Sequence, residues 1–268
     1  MNIATKTTPP VATSAGMRIE DQANGVRIVI FDRPTRRNSI DAEFLTRLAR
    51  ELDAIAADPD VRVVILTGAN GIFSAGADFQ DLDNMFAMTE AEVDELLSHE
   101  MLVAQQIWEL PQPTIAAING PAVGAAMSLA LACDIRIGSP SMALLPSFIR
   151  MGLVPDTGMS WLLPHLIGQG PALEVVLSGR PINAEQARRL GLVSQVTDDA
   201  LASALELAAT FAARPPAAVR TTKRLLRDAA QGDLARAIKI EARIQAASIH
   251  GAEFSAAFAG WRTSRVAD

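Results

Sequence analysis

An α/β fold with a mostly parallel sheet is predicted by three features of the sequence. Apolar, largely β-branched runs at residues 26–31 (VRIVIF), 61–67 (VRVVILT), 113–118 (PTIAAI) and 134–138 (DIRIG) read as strands. Helical periodicity fills the intervals between them. The 61–67 run is apolar on both faces apart from Arg62, as in a buried parallel strand.

The elements follow in order. Residues 1–16, rich in Thr, Pro, Ala and Ser with one Lys and no apolar stretch, predict a disordered tail and not a targeting peptide. Asp41 is placed to cap a helix in which Phe44, Leu45, Leu48, Leu52, Ile55 and Ala56 recur at helical spacing, and Pro59 stops it. Thr89-Glu90-Ala91-Glu92 is a capping box, opening a helix that runs to about Glu109. Residues 124–132 make a small-residue helix between the third and fourth strands. Beyond Pro155 the chain reads as helical except at 192–196, with a cap at Asn183 to Gln186 and a break at Pro215-Pro216. The expected organisation is a core at 17–200 with a C-terminal helical extension at 201–268, packed on the core or on a partner subunit.

Composition narrows the function. The 268 residues are 49% hydrophobic and 20% charged, the usage of a globular chain. Thirty acidic against 24 basic residues give a net charge of −6, which argues against a nucleic-acid partner. The single cysteine, Cys133, excludes an internal disulfide and a Cys-rich zinc site, and fits a reducing cytoplasm. Apolar runs are broken far short of the roughly 20 residues that span a bilayer, so no membrane association is expected.

Two glycine-rich turns follow strands, where open α/β sheets place ligands. They read GANGIFSAGAD (residues 68–78) and NGPAVGAA (residues 119–126), and the second opens a helix. Small residues there let backbone N–H groups approach a ligand, and the helix N-terminus adds partial positive charge. Two converging donors would stabilise negative charge on a carbonyl oxygen. Neither turn has the Walker or dinucleotide spacing, and short glycine patterns also serve merely to reverse the chain.

Five ordered segments together resemble the crotonase family, the enoyl-CoA hydratase/isomerase superfamily. They are FDRPTRRNSID (31–41), FSAGADFQDLD (73–83), AAINGPAVGAAMSLALACDIRI (116–137), GLVPDTGMSWLLPHLIG (152–168) and LSGRPINAEQARRLGLVSQV (177–196). The resemblance implies a ββα spiral core with a C-terminal helical extension, trimers or dimers of trimers, an acyl-CoA thioester substrate, and no cofactor or metal beyond the CoA moiety. By position it assigns the backbone N–H groups of Ala77 and Ala125 to an oxyanion hole. It implies CoA contacts at Arg36, Arg37, Ala75 and Asp78, and an acyl pocket at Met85, Phe86, Met88 and Phe148. A lysine common after the first glycine motif is Gln80 here, and a C-terminal basic position matches Trp261, beside Arg262.

The sequence departs from the hydratase pattern at the two glutamates that activate water. Their positions hold Ser128 and Phe148, and neither side chain is a useful base near neutral pH. Asp156 is the remaining carboxylate. It matches a proton-shuttling Asp of relatives similar to epoxyphenylacetyl-CoA isomerase and a nucleophilic Asp of the chlorobenzoyl-CoA dehalogenase branch. Read from the residues alone, Asp156 also suits a helix cap after Pro155. The leading expectation is a double-bond shift with Asp156 as the proton shuttle. The alternatives are hydration on one carboxylate, hydrolysis or dehalogenation through Asp156, and a non-enzymatic acyl-CoA scaffold. His99 reads as a surface residue, although the dehalogenase branch has a catalytic His in that helix. His165 reads as structural, His250 as a helix C-terminal residue, and Asp78 and Asp83 as loop-stabilising or solvent-facing.

Overall fold

The computed structural model describes residues 16–229, 234–249, 251–254 and 256. The tail expected at 1–16 lies outside them except for Gly16, as do His250, Trp261 and Arg262.

β1 (Met17–Asp21) and β2 (Val26–Phe31) form an antiparallel hairpin. α1 (Ala42–Ala57) starts where Asp41 accepts the Phe44 N–H at 2.9 Å, and the chain returns through β3 (Val63–Gly68). α2 (Phe79–Met85), α3 (Glu90–Glu100) and α4 (Leu102–Glu109) lead to β4 (Thr114–Ile118). The Thr89–Glu92 capping box is present, but the helix expected to run on to Glu109 is two helices divided at Met101. No glycine or proline announces that division.

β5 (Pro121–Val123) and α5 (Ala125–Ala132) precede β6 (Ile135–Gly138) and β7 (Ala143–Leu145). A short 3-10 turn, Phe148–Met151, leads towards α6 (Met159–Ile167) and α7 (Gln169–Ser178). Then come β8 (Ile182–Asn183), α8 (Ala184–Arg189), β9 (Gln195–Val196), α9 (Ala200–Ala212), α10 (Pro216–Ala229) and α11 (Leu234–Ile249). The main sheet has the order β1-β2-β3-β4-β6-β9, parallel except for the first pair, and β5-β7-β8 form a small second sheet.

Strand alternation sorts the core into two layers. Val29, Phe31, Val64, Leu66, Ala116 and Ile118 join α1, α4, α5 and the small sheet in one buried cluster. Val26, Ile28, Ile30, Val63, Ile65, Ile115, Ala117 and Ile137 face the other way. That second face is covered by α9 through Ala200, Ala204, Ala208 and Ala212, whose four-residue spacing keeps one methyl stripe on the sheet. The chain past residue 200 therefore begins by completing the core.

α10 docks by its charged side. Arg220 donates to the Val61 carbonyl at 3.2 Å, Lys223 to the Gln112 carbonyl at 2.8 Å, and Arg227 to Asp134 at 2.6 Å. These acceptors stand just before β3, β4 and β6, so three basic residues on one helix tie down the entrances of three parallel strands. Asp134 also takes Lys223 Nζ at 2.7 Å and the Thr114 N–H at 2.7 Å. Arg227 lies 3.8 Å over the Trp108 ring. A cavity of about 850 Å³ between Trp108, Trp161, Phe211, Val219 and Leu226 opens at this end, opposite the glycine-rich turns.

Removing Asp134 would strand two partly buried cations. Asp134→Ala is expected to lower the unfolding free energy by roughly 3 kcal/mol, read as a reduced urea midpoint. A wild-type midpoint would show the cluster to be dispensable.

Candidate active site

The two glycine-rich turns meet where β3 and β4 end. Ser74 and Ala122 form a parallel bridge, with the Ser74 N–H on the Pro121 carbonyl at 3.0 Å and the Val123 N–H on the Ser74 carbonyl at 3.1 Å. Two glycines permit the contact. A Cβ on Gly76 (φ +84°) would stand 2.6 Å from the Val123 carbonyl oxygen, and one on Gly120 would overlap the Gly71 carbonyl. Asn119 adds a bond from its side-chain amide to the Gly68 carbonyl.

This docking fixes two free donors. The Ile40 N–H donates to the Gly76 carbonyl and the Asp78 N–H to the Ile40 carbonyl, both at 2.8 Å. The Ala77 between them turns its own N–H away from that bridge. Ala125 is the first residue of α5, where a helix supplies no acceptor for the N–H. Neither N–H meets an acceptor among the described residues. Ala77 is exposed and Ala125 half-buried, so both remain open to a ligand.

Asp156 is tied to the same helix. One turn along α5, the Ser128 hydroxyl donates to the Asp156 carbonyl at 3.1 Å, and Ser128 is fully buried. Thr157 donates to Asp156 Oδ1 at 2.9 Å. Burial pushes the Asp156 carboxyl above the usual aspartate range, while the Thr157 hydroxyl opposes the shift. The alternative reading of Asp156 as the cap of the next helix does not hold. Gly158 is the N-cap of α6, and Asp156 contributes only its carbonyl, to the Met159 N–H at 2.9 Å. Phe148 is buried, with Cζ 3.7 Å from where a Cβ on Gly124 would stand, so an apolar ring stands next to the Ala125 turn. Ser128 and Phe148 bring no carboxylate to this place.

The remaining predicted positions divide. Arg36 reaches Asp78 Oδ2 at 3.2 Å, and Ser39 donates to the same oxygen at 2.7 Å. The Ser39 bond, above all, holds the Asp78 carboxyl below its ordinary range. Asp78 caps α2, as its loop-stabilising reading requires. Arg37 is exposed, and its carbonyl accepts the Ala75 N–H at 3.0 Å. Met85 and Met88 are half-buried, whereas Phe86 is 88% exposed at the end of α2, so that wall is open in the single chain. His99 and Asp83 are exposed. His165 bonds the Trp161 carbonyl at 2.7 Å and stacks on the Trp161 ring, a structural arrangement.

Sequence reading missed Asn38. It is buried in a left-handed conformation, accepts the Arg33 N–H, and donates to the Ala69 and Ile72 carbonyls at 3.0 and 2.8 Å. It thereby joins the arginine loop to the first glycine turn. Its signal was an asparagine following two arginines in a turn, the residue type that tolerates this conformation. Among the described residues no group of three or more His, Cys, Asp or Glu is placed to hold a metal ion, and no helix is long and apolar enough to cross a membrane.

Comparison with known proteins gives the chain a family. The sequence model described as enoyl-CoA hydratase/isomerase matches residues 21–264. The chain is 37% identical over 242 residues to "Probable enoyl-CoA hydratase EchA14" of Mycobacterium tuberculosis, covering 87% of this chain and 93% of that one. It is 33% identical over 238 residues to the mitochondrial methylglutaconyl-CoA hydratase of Rattus norvegicus, covering 86% and 75%. The crystal structure of an enoyl-CoA hydratase from Bacillus anthracis superposes with a TM-score of 0.87 at 32% identity, covering 93% and 97%. The chain belongs to the enoyl-CoA hydratase/isomerase family of acyl-CoA enzymes and has the crotonase fold.

Two outcomes follow. Gly76→Ala would push on the Val123 carbonyl and displace the Ala77 N–H, so turnover of an enoyl-CoA thioester should fall about 10²-fold or more, with the circular dichroism spectrum unchanged. Wild-type turnover would detach Ala77 from the chemistry. The Asp156 carboxyl is raised in the fold, so its stability contribution is full below the unfolded pKa and lost as pH rises through the folded pKa. Asp156→Asn should therefore raise the melting temperature at pH 7 relative to wild type, and the gain should vanish below the ordinary aspartate pKa of about 3.9. A gain equal at both pH values would contradict the raised pKa.

Proposed function

We propose that the protein shifts a double bond along an acyl-CoA thioester, with the Ala77 and Ala125 N–H groups forming the oxyanion hole and Asp156 shuttling the proton. The Asp156 carboxylate removes the α-proton of a 3-enoyl thioester. The C–H electron pair moves into a dienolate whose negative charge rests on the thioester oxygen, between the two amides. The Asp156 carboxyl then returns the proton to the γ-carbon, giving the 2-enoyl thioester with no net loss or gain of atoms. Burial favours this relay by bringing the aspartate closer in basicity to neutral pH. The observation that carries the reading is that Asp156 is tied to the helix of Ala125 while Ser128 and Phe148 supply no carboxylate.

Arg36, Arg37, Ala75 and Asp78 lie around one loop junction and would hold the CoA portion, the arginines through charge-assisted bonds to phosphate. No cofactor beyond CoA is required. Phe148 and the Met85–Met88 stretch would bound the acyl group. A homotrimer or dimer of trimers is supported by apolar side chains left outside on the last helices, Leu226 at 70%, Ile238 at 53% and Ile249 at 47% exposure. Hydration stands as the second reading because the curated and solved relatives carry hydratase names.

The test is deuterium exchange in D2O with a panel of 2-enoyl- and 3-enoyl-CoA thioesters, following mass and double-bond position. Wild type should incorporate deuterium as the bond migrates, and Asp156→Asn should lose about 10²-fold or more of that rate. Gain of one water without migration would replace isomerisation by hydration, and release of free CoA would replace it by hydrolysis. Binding without chemistry would favour a scaffold.

A further inference from the structure

We propose that Thr157 and Ser128 are positioning residues for Asp156, the first holding one carboxylate oxygen and the second holding the backbone from which the carboxylate projects. The proposal rests on the assignment of Asp156 as proton shuttle and adds what aims it.

Thr157 occupies a conformation that its side chain disfavours. Its φ is +50°, in the left-handed region, and β-branched residues seldom adopt it. Gly158, beside it, is also left-handed at φ +80° without that cost. A glycine at 157 would relieve the backbone but would carry no hydroxyl. The hydroxyl present donates to Asp156 Oδ1 at 2.9 Å from a residue only 6% exposed. Strain of this kind persists where the surroundings over-determine it, and it gathers at functional sites. Asp156 Oδ2 has no partner among the described residues, so one oxygen is held and the other is free to take a proton.

Ser128 breaks a habit of its own. A serine inside a helix commonly bonds the carbonyl four residues back. Here its hydroxyl leaves the helix and reaches the Asp156 carbonyl at 3.1 Å, where the Met159 N–H also arrives at 2.9 Å. Two donors on one carbonyl fix the peptide that follows Asp156, and a third fixes its carboxylate. The Thr157 bond also favours the charged carboxylate against the burial that opposes it.

The test pairs two measurements on each variant: the pH profile of deuterium exchange, and the ¹³C titration of the Asp156 carboxyl, assigned by its loss in Asp156→Asn. Thr157→Val keeps the shape and removes the hydroxyl, so the carboxyl midpoint should move upward and the rising limb of the profile should follow it. Thr157→Ser should restore both, and Thr157→Gly, which removes the strain with the hydroxyl, should behave as Thr157→Val. Ser128→Ala should lower kcat about tenfold or more with KM unchanged. A wild-type titration and profile in both Thr157→Val and Thr157→Gly, or wild-type kcat in Ser128→Ala, would overturn the assignment of that residue. Wild-type exchange in Asp156→Asn would overturn the shuttle instead. The titration would still report the Thr157 bond, so the two failures are distinguishable.

Discussion

The close approach of two backbone turns is the constraint on which the rest of the site depends. At Gly76 and Gly120 the backbones come so near that a single methyl would strike a carbonyl, and the Ser74–Ala122 bridge locks them in that position. An N–H held by such packing cannot turn to find another acceptor. Ala77 and Ala125 therefore keep donors that folding leaves unused, at the ends of parallel strands where ligands gather. Preorganised donors of this kind are effective because they do not reorganise as charge develops.

The opposite pole of the sheet is held by charge. Arg220, Lys223 and Arg227 bind the approaches to β3, β4 and β6, with Asp134 compensating two of them. Both ends of β3 and β4 are thus held: by basic side chains on backbone carbonyls where they enter and by glycine packing where they leave. Asp156 lies between α5 and α6, on a short irregular stretch that two buried hydroxyls keep in place. That arrangement ties the Asp156 backbone to α5, the helix that begins at Ala125, while Ser128 and Phe148 bring no carboxylate there.

The parts of the fold legible in the sequence are those written by periodicity. The α1 stripe, the Thr89–Glu92 box and the β-branched runs each satisfy a local rule, and each formed. The three residues of β5 were hidden inside a turn because so short a strand has no period, although its bridge to Ser74 joins the two turns. The break at Met101 was silent because Glu100, Met101 and Leu102 are all good helix formers. The extension assigned from residue 201 begins inside α9, whose alanine spacing could be seen but whose partner, the second face of the sheet, could not. At the site, the glycine turns and Asp156 were visible as residue types. The bonds from Asn38, Ser128 and Thr157 were not, because each crosses the chain or depends on a left-handed backbone.

The most direct measurement is the carbonyl stretch of an unreactive acyl-CoA thioester, ¹³C-labelled at the carbonyl, by difference infrared spectroscopy on binding. Two amides donating to one oxygen weaken the C=O bond, so the band should move to lower frequency. The shift should persist in Asp156→Asn, which leaves both donors untouched, and shrink in Gly76→Ala. A band that stays at its solution frequency on the bound ligand would contradict the convergence of Ala77 and Ala125 on the thioester.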